Sequence, residues 1–67
     1  MKSGFDMQEE QLFQIIAQDL QLNILQVRNT IELLDNNNTV PFISRYRKEK
    51  TGSLDEKQIR DIQEKIK

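Results

Sequence analysis

The chain has 67 residues, among them no cysteine and no histidine, and its formal net charge is −1. A chain this short holds at most one domain, near the lower size limit for folding without disulfides or metals. The two missing residue types exclude disulfides, thiolate zinc sites and nucleophiles activated by histidine.

Charge is unevenly distributed along the chain. Residues 1–35 carry two basic and six acidic side chains, a net charge of −4, whereas residues 36–67 carry eight basic and five acidic side chains, a net charge of +3. A polyanion would therefore meet the second half. No apolar run approaches the roughly 20 residues needed to cross a bilayer, and the start of the chain lacks a signal-peptide pattern, so we expect a cytoplasmic protein without membrane contact.

Two helices are predicted in the first half. Apolar residues at helical spacing indicate a helix over residues 6–20, with Phe13 widening the stripe. Asn23 is a favourable N-cap for a second helix over residues 24–36, which the asparagines at 36–38 end. The stripe of the first helix is formed by Leu12, Ile15, Ile16 and Leu20.

A third helix is predicted over residues 40–51. Thr39 can cap it, Pro41 fits its first turn, and Gly52 is a natural left-handed terminator. The aromatic side chains of this helix fall on the side of its apolar stripe, so we expect them in the core rather than on a base-stacking platform.

A fourth helix is predicted over residues 54–66, opened by a capping box of Ser53 and Glu56. Its apolar stripe is unfinished where the sequence stops, so we expect it to need a further surface and to be the least settled element. The predicted fold is thus all-α, a compact bundle of about four short helices. Its expected core comprises Leu12, Ile16, Leu20, Val27, Ile31, Leu34, Phe42, Ile43, Tyr46 and Ile59.

The segment TVPFISRYRKEKTG, residues 39–52, contains the densest positive charge of the chain. Its basic side chains are candidates for contacts to nucleic-acid phosphates. The alternative is a face that is merely solvated, in which Arg45 pairs with Glu49 one helical turn away. The candidate nucleic-acid-binding residues are Arg45, Arg47, Lys48 and Lys50.

Four apolar side chains are candidates for docking to another domain or a partner: Leu25, Leu33, Ile62 and Ile66. Leu25 and Leu33 point away from the stripe of their helix. The acidic pair Asp55 and Glu56 is explained by helix capping and the helix dipole, and no further catalytic component accompanies it. We therefore expect neither enzymatic activity nor a metal, cofactor or small-molecule substrate.

The segment TVPFISRYRKEKTGSLDEKQIR, residues 39–60, closely resembles the signature near the N-terminus of Tex-like transcription accessory proteins, and the preceding IELLDNNN resembles the run that leads into it. One departure is DNNN, where the family has an acidic residue and glycine. The resemblance implies helix-turn-helix character and a single N-terminal helical domain, residues 1–67, of a much larger bacterial protein. In that family, nucleic-acid binding is assigned mainly to a C-terminal domain absent from this chain.

Three hypotheses remain open from the sequence. The chain is a helical module that packs against other domains of a Tex-like protein, a helix-turn-helix that itself binds nucleic acid through its basic face, or a module that recruits a protein through exposed leucines. In the second case, we expect weak, salt-dependent binding without sequence preference.

Overall fold

The regular structure of this chain is helical throughout the part that the structure, a computed structural model, describes: the backbone of residues 7–66 and the side chains of residues 9–66. This confirms the predicted all-α class. The helices are α1 (Met7–Leu20), α2 (Ile24–Asp35), α3 (Val40–Tyr46), α4 (Lys48–Thr51) and α5 (Glu56–Lys65). None of these described helices is long and apolar enough to cross a membrane.

The start of α2 follows the sequence prediction closely. The Asn23 side chain accepts a hydrogen bond from the backbone N–H of Leu25 at 2.8 Å, and the Gln26 side chain accepts one from the backbone N–H of Asn23 at 3.0 Å. This reciprocal capping satisfies donors that the first turn of a helix leaves without partners. At the other end, Asn37 adopts a left-handed conformation with φ 69°.

The predicted third helix is two helices in the structure. The Thr39 hydroxyl caps α3 by accepting from the backbone N–H of Phe42 at 3.3 Å. Arg47 then leaves helical geometry with φ −125° and ψ 38°, which separates α3 from the single turn α4. Gly52, in the left-handed conformation with φ 70°, ends α4 as predicted.

The predicted capping box at the start of the last helix was wrong by two residues. Ser53 is itself left-handed, with φ 68°, so it cannot act as the extended N-cap that a helix start requires. Asp55 takes that role: its carboxylate accepts from the backbone N–H of Gln58 at 2.8 Å, and Gln58 Oε1 accepts from the backbone N–H of Asp55 at 3.1 Å. Glu56 instead forms an ion pair with Arg60 at 3.5 Å.

One hydrophobic core joins helices α1, α2, α3 and α5. Two threonines are completely buried beside it with their hydroxyls bonded: Thr30 Oγ1 donates to the carbonyl of Gln26 at 2.7 Å, and Thr51 Oγ1 accepts from the backbone N–H of Leu54 at 3.3 Å. The buried apolar residues are Phe13, Ile16, Ala17, Val27, Ile31, Val40, Ile43, Leu54, Ile59 and Ile62.

Three residues of the expected core were placed wrongly. Leu12 is 40% exposed, because the buried stripe of α1 runs through the smaller Ala17 and through Phe13 instead. Phe42 is 36% exposed and Tyr46 is 59% exposed. Leu20 and Leu34, also expected in the core, are partly buried and pack against its edge.

Helix α5 packs into the core through Ile59 and Ile62, contrary to the expectation that its stripe needs a further surface. Ile59 and Ile62 have no exposed area, and they belong to the same buried cluster as residues of α1, α2 and α3. An ion pair between Lys65 and Asp19 also connects the end of α5 to α1. Two residues of the stripe of the last helix are therefore buried within this chain, and the third, Ile66, is partly buried against the core.

Candidate functional site

Two exposed aromatic rings lie side by side on α3. Phe42 and Tyr46 are separated by one helical turn, with ring centroids 5.2 Å apart and ring planes inclined by 44°. This tilted arrangement is a favourable one for an aromatic pair. Together with four exposed basic side chains that are close to them in sequence, the rings make up what we call the aromatic–basic surface: Phe42, Arg45, Tyr46, Arg47, Lys48 and Lys50.

Arg47 connects the aromatic and basic parts of this surface. Its guanidinium carbon lies 5.4 Å from the centroid of the Phe42 ring, within the range of a cation–π contact. The same guanidinium approaches Glu49 only to 4.0 Å, and both side chains are largely exposed, so that ion pair contributes little.

The remaining cations of the aromatic–basic surface are open to solvent. Arg45, Lys48 and Lys50 are all exposed. The alternative in which Arg45 pairs with Glu49 is not found, since no ion pair joins them in the described part of the chain. Residues 45–50 carry four positive charges and one negative charge, and the candidates predicted from the sequence are thus close in sequence and exposed to solvent.

Side chains of α2 hold the basic turn α4 in place. Gln26 donates from Nε2 to the carbonyl oxygen of Thr51 at 2.9 Å, and Asn29 donates from Nδ2 to the carbonyl oxygen of Lys50 at 2.9 Å. The last carbonyls of a helix have no partner within it, so these amides satisfy groups that would otherwise need water. Neither contact is predictable from local sequence patterns, because each joins residues more than 20 positions apart.

The predicted docking residues do not form one surface. Leu25 is 57% exposed, as its position away from the helix stripe predicts. Leu33 and Ile66 are partly buried and pack against the core. Ile62 is completely buried within the chain, so it offers no surface to a partner and leaves the candidate set.

Several acidic side chains elsewhere are engaged in structural contacts. Glu10 pairs with Arg28 at 3.3 Å, and Asp55 and Glu56 serve the start of α5 as described above. In residues that the structure describes, no three acidic side chains converge as ligands for a metal ion.

The fold and this surface define a small helical domain that presents aromatic and basic side chains to solvent. The chain belongs to the Tex-like protein N-terminal domain family, whose profile matches residues 10–67. The resemblance found in residues 39–60 is thereby confirmed and extended over most of the chain. No solved structure matches this chain.

Relatives in bacteria and animals are similar to this chain. The transcriptional accessory protein Tex of Neisseria gonorrhoeae is 50% identical over 52 residues, covering 78% of this chain and 7% of the relative. The uncharacterized protein YdcI of Bacillus subtilis is 54% identical over 54 residues, covering 81% and 8%. The S1 RNA-binding domain-containing protein 1 of Homo sapiens is 33% identical over 55 residues, covering 82% and 6%. The chain thus spans less than a tenth of the length of these relatives.

Proposed function

We propose that this chain is the N-terminal helical module of a Tex-like transcription accessory protein. In this role it supports nucleic-acid binding and transcription-related function by a larger protein, mainly by packing against its other domains. The observation that carries the proposal is the family match over residues 10–67. A cytoplasmic location, one domain formed by residues 1–67 and the assignment of no catalytic step to this domain belong to the same proposal.

The relatives favour a role for this chain within a larger protein rather than an independent function. The matched segment makes up 7% of the gonococcal relative, and one animal relative is named for an S1 RNA-binding domain. A domain this small has room for few contacts of its own, whereas a position beside a nucleic-acid-binding domain lets weak contacts add through a high effective concentration.

The proposal is tested by adding the chain to a relative from which the matching segment has been deleted. Titration calorimetry measures association between the purified 67-residue chain and the truncated gonococcal protein. We expect saturable binding, and a higher melting temperature for the truncated protein in the presence of the chain. Absence of binding, together with unchanged nucleic-acid affinity after the deletion, would overturn the proposal.

Leu25 favours a second candidate function, the recruitment of a separate protein. It is a large apolar side chain that is more than half exposed. A partner identified by cross-linking should bind the purified chain and lose binding on Leu25→Lys. Ile15→Lys is the matched control, because Ile15 is 64% exposed on a different helix and the change adds the same charge. Equal loss with both variants would point to net charge rather than to a specific contact.

A further inference from the structure

The pairing of two exposed rings with a dense array of cations sets the aromatic–basic surface apart. Single exposed apolar residues are ordinary on protein surfaces. Here the Phe42 and Tyr46 rings lie side by side, and the Arg47 guanidinium lies over one of them. Three further cations are exposed within residues 45–50. The feature to be explained is the combination of ring faces with positive charge.

A single-stranded nucleic acid matches both parts of this surface. Its unpaired bases stack on exposed aromatic rings, and its phosphates contact arginine and lysine. A dry protein interface over the rings would have to bring neutralising acids for Arg45, Lys48 and Lys50, because the nearby Glu49 approaches only Arg47, at 4.0 Å. Charge complementarity therefore favours a polyanion whose unpaired bases can stack on the aromatic rings of the protein.

The two rings are not equally available. Phe42 is 36% exposed and the Arg47 guanidinium already lies over its ring, whereas Tyr46 is 59% exposed. Tyr46 therefore has more ring surface for a base, with Phe42 and Arg47 supporting it from one side. A duplex keeps its bases stacked on one another and offers no free face except at its ends, so it can use only the cations.

We propose that the aromatic–basic surface binds single-stranded nucleic acid, with a base stacked on Tyr46 and phosphates held by Arg45, Lys48 and Lys50. This deepens the proposed function by assigning a ligand class to this surface, and its biological setting rests on that function. The three cations assigned to phosphates correspond to a slope of log affinity against log salt of about −2 for a single strand. Binding is weak at physiological salt, with a Kd of about 10⁻⁴ M, as for other non-specific binding to nucleic acid.

Tyr46 supplies its own optical signal for the test. The sequence contains one tyrosine and no tryptophan, so the tyrosine fluorescence of the chain reports on Tyr46 alone. The 67-residue chain is titrated at low salt with oligouridine, oligothymidine, a DNA duplex of equal phosphate content and inorganic polyphosphate. N-acetyltyrosinamide, titrated in parallel, corrects for light absorbed by the nucleotides.

We expect saturable quenching by the single strands, weaker quenching by the duplex and none by polyphosphate, which has charge but no bases. An added oligodeoxyuridine arm, which differs from oligouridine only in the 2′-hydroxyl, distinguishes RNA from DNA as the preferred strand. No change with either single strand would overturn the proposal, and so would equal quenching by polyphosphate, because that result needs charge alone.

Substitutions then separate stacking from charge, with fluorescence anisotropy of a labelled oligouridine as the measurement. Tyr46→Leu should weaken binding at least about fivefold, since stacking on one aromatic ring contributes that much or more. Ile15→Ala, which shortens an exposed apolar side chain on α1 outside this surface, should leave binding unchanged. Circular dichroism verifies that each variant is folded, and equal affinity of Tyr46→Leu and the parent chain would refute the base contact.

Charge is tested by Lys48→Gln and Arg45→Gln. Each should lower the magnitude of the salt slope by about 0.7, the contribution of one phosphate contact to a single strand. An unchanged slope in both variants would contradict the assigned phosphate contacts. The docking titration under Proposed function measures a different partner, so failure of strand binding leaves that result standing, and the reverse also holds.

Discussion

The side-chain amide of Gln26 donates a hydrogen bond to the carbonyl oxygen of Thr51 at 2.9 Å. The other atom of the same amide, Oε1, accepts from the backbone N–H of Asn23 at 3.0 Å. One side chain thus caps the beginning of α2 and the end of α4, and it joins two elements that are distant in sequence.

Gln26→Ala should lower the free energy of unfolding by about 1–2 kcal/mol, because it removes a capping interaction and leaves a part-buried carbonyl without its donor. Urea unfolding followed by circular dichroism measures the change. Gln18→Ala on the exposed face of α1 is the matched control and should have little effect. Equal losses of stability in the two variants would show that helix composition, rather than the two hydrogen bonds of the Gln26 amide, accounts for the result.

Gly52→Ala should destabilise the chain by roughly 1–2 kcal/mol or more. Gly52 has φ 70°, which costs an L-residue free energy, and an added Cβ would lie 2.5 Å from Gln26 Nε2. Ser53→Gly should act in the opposite direction by up to about 1 kcal/mol, because Ser53 already occupies a left-handed conformation with φ 68°. Thermal unfolding of both variants measures the effect, and destabilisation by Ser53→Gly would contradict this account of the turn.

Asp55→Ala should cost about 1 kcal/mol of stability through loss of the N-cap of α5. Glu56→Ala, one position later, removes only an exposed ion pair with Arg60 and should cost less than about 0.5 kcal/mol. Chemical unfolding of the two variants compares them directly. A larger loss for Glu56→Ala would favour the capping box at Ser53 that the sequence predicts.

Ile62→Ala should lower the free energy of unfolding by about 2–5 kcal/mol, since it removes a fully buried side chain from the core. Ile66→Ala should cost less, because Ile66 is only partly buried at the edge. Native-state hydrogen exchange supplies a second measurement: amides in the middle of α5 should be protected to a degree similar to those of α2. Rapid exchange of α5 amides would instead agree with the sequence-based expectation of a poorly settled last helix.

Capping residues and aliphatic side chains were the most predictable features. Asn23, Thr39 and Gly52 act as predicted, because capping depends on side-chain chemistry and backbone conformation within a few residues. Val27, Ile31, Ile43 and Ile59 are buried as predicted. These positions lie near the centre of their helix stripes, where a modest error in the helix rotation does not change which side faces the core.

The aromatic residues were harder, for a geometric reason. Val40 and Ile43 are separated by about 60° around the helix axis, whereas Phe42 lies about 160° from Val40, at about 100° per residue. In a helix of seven residues, Val40, Phe42 and Ile43 therefore cannot all face the same core. These angles alone favour burial of the two aliphatic residues and leave the aromatic rings at the edge of the core. The break at Arg47 has no comparable signal, since no glycine or proline is located there.

The shortness of α4 determines when, during folding of the chain, its lysines reach their final spacing. Four residues are too few for a helix to persist alone in water, so the spacing of Lys48 and Lys50 depends on the α2 amides that bond the carbonyls of Lys50 and Thr51. Helix α2 precedes the basic turn in sequence and leaves the ribosome first. A helix of 12 residues is itself only marginally stable alone in water, so α2 arranges these lysines only once it packs into the core, and the charge array forms together with the tertiary fold.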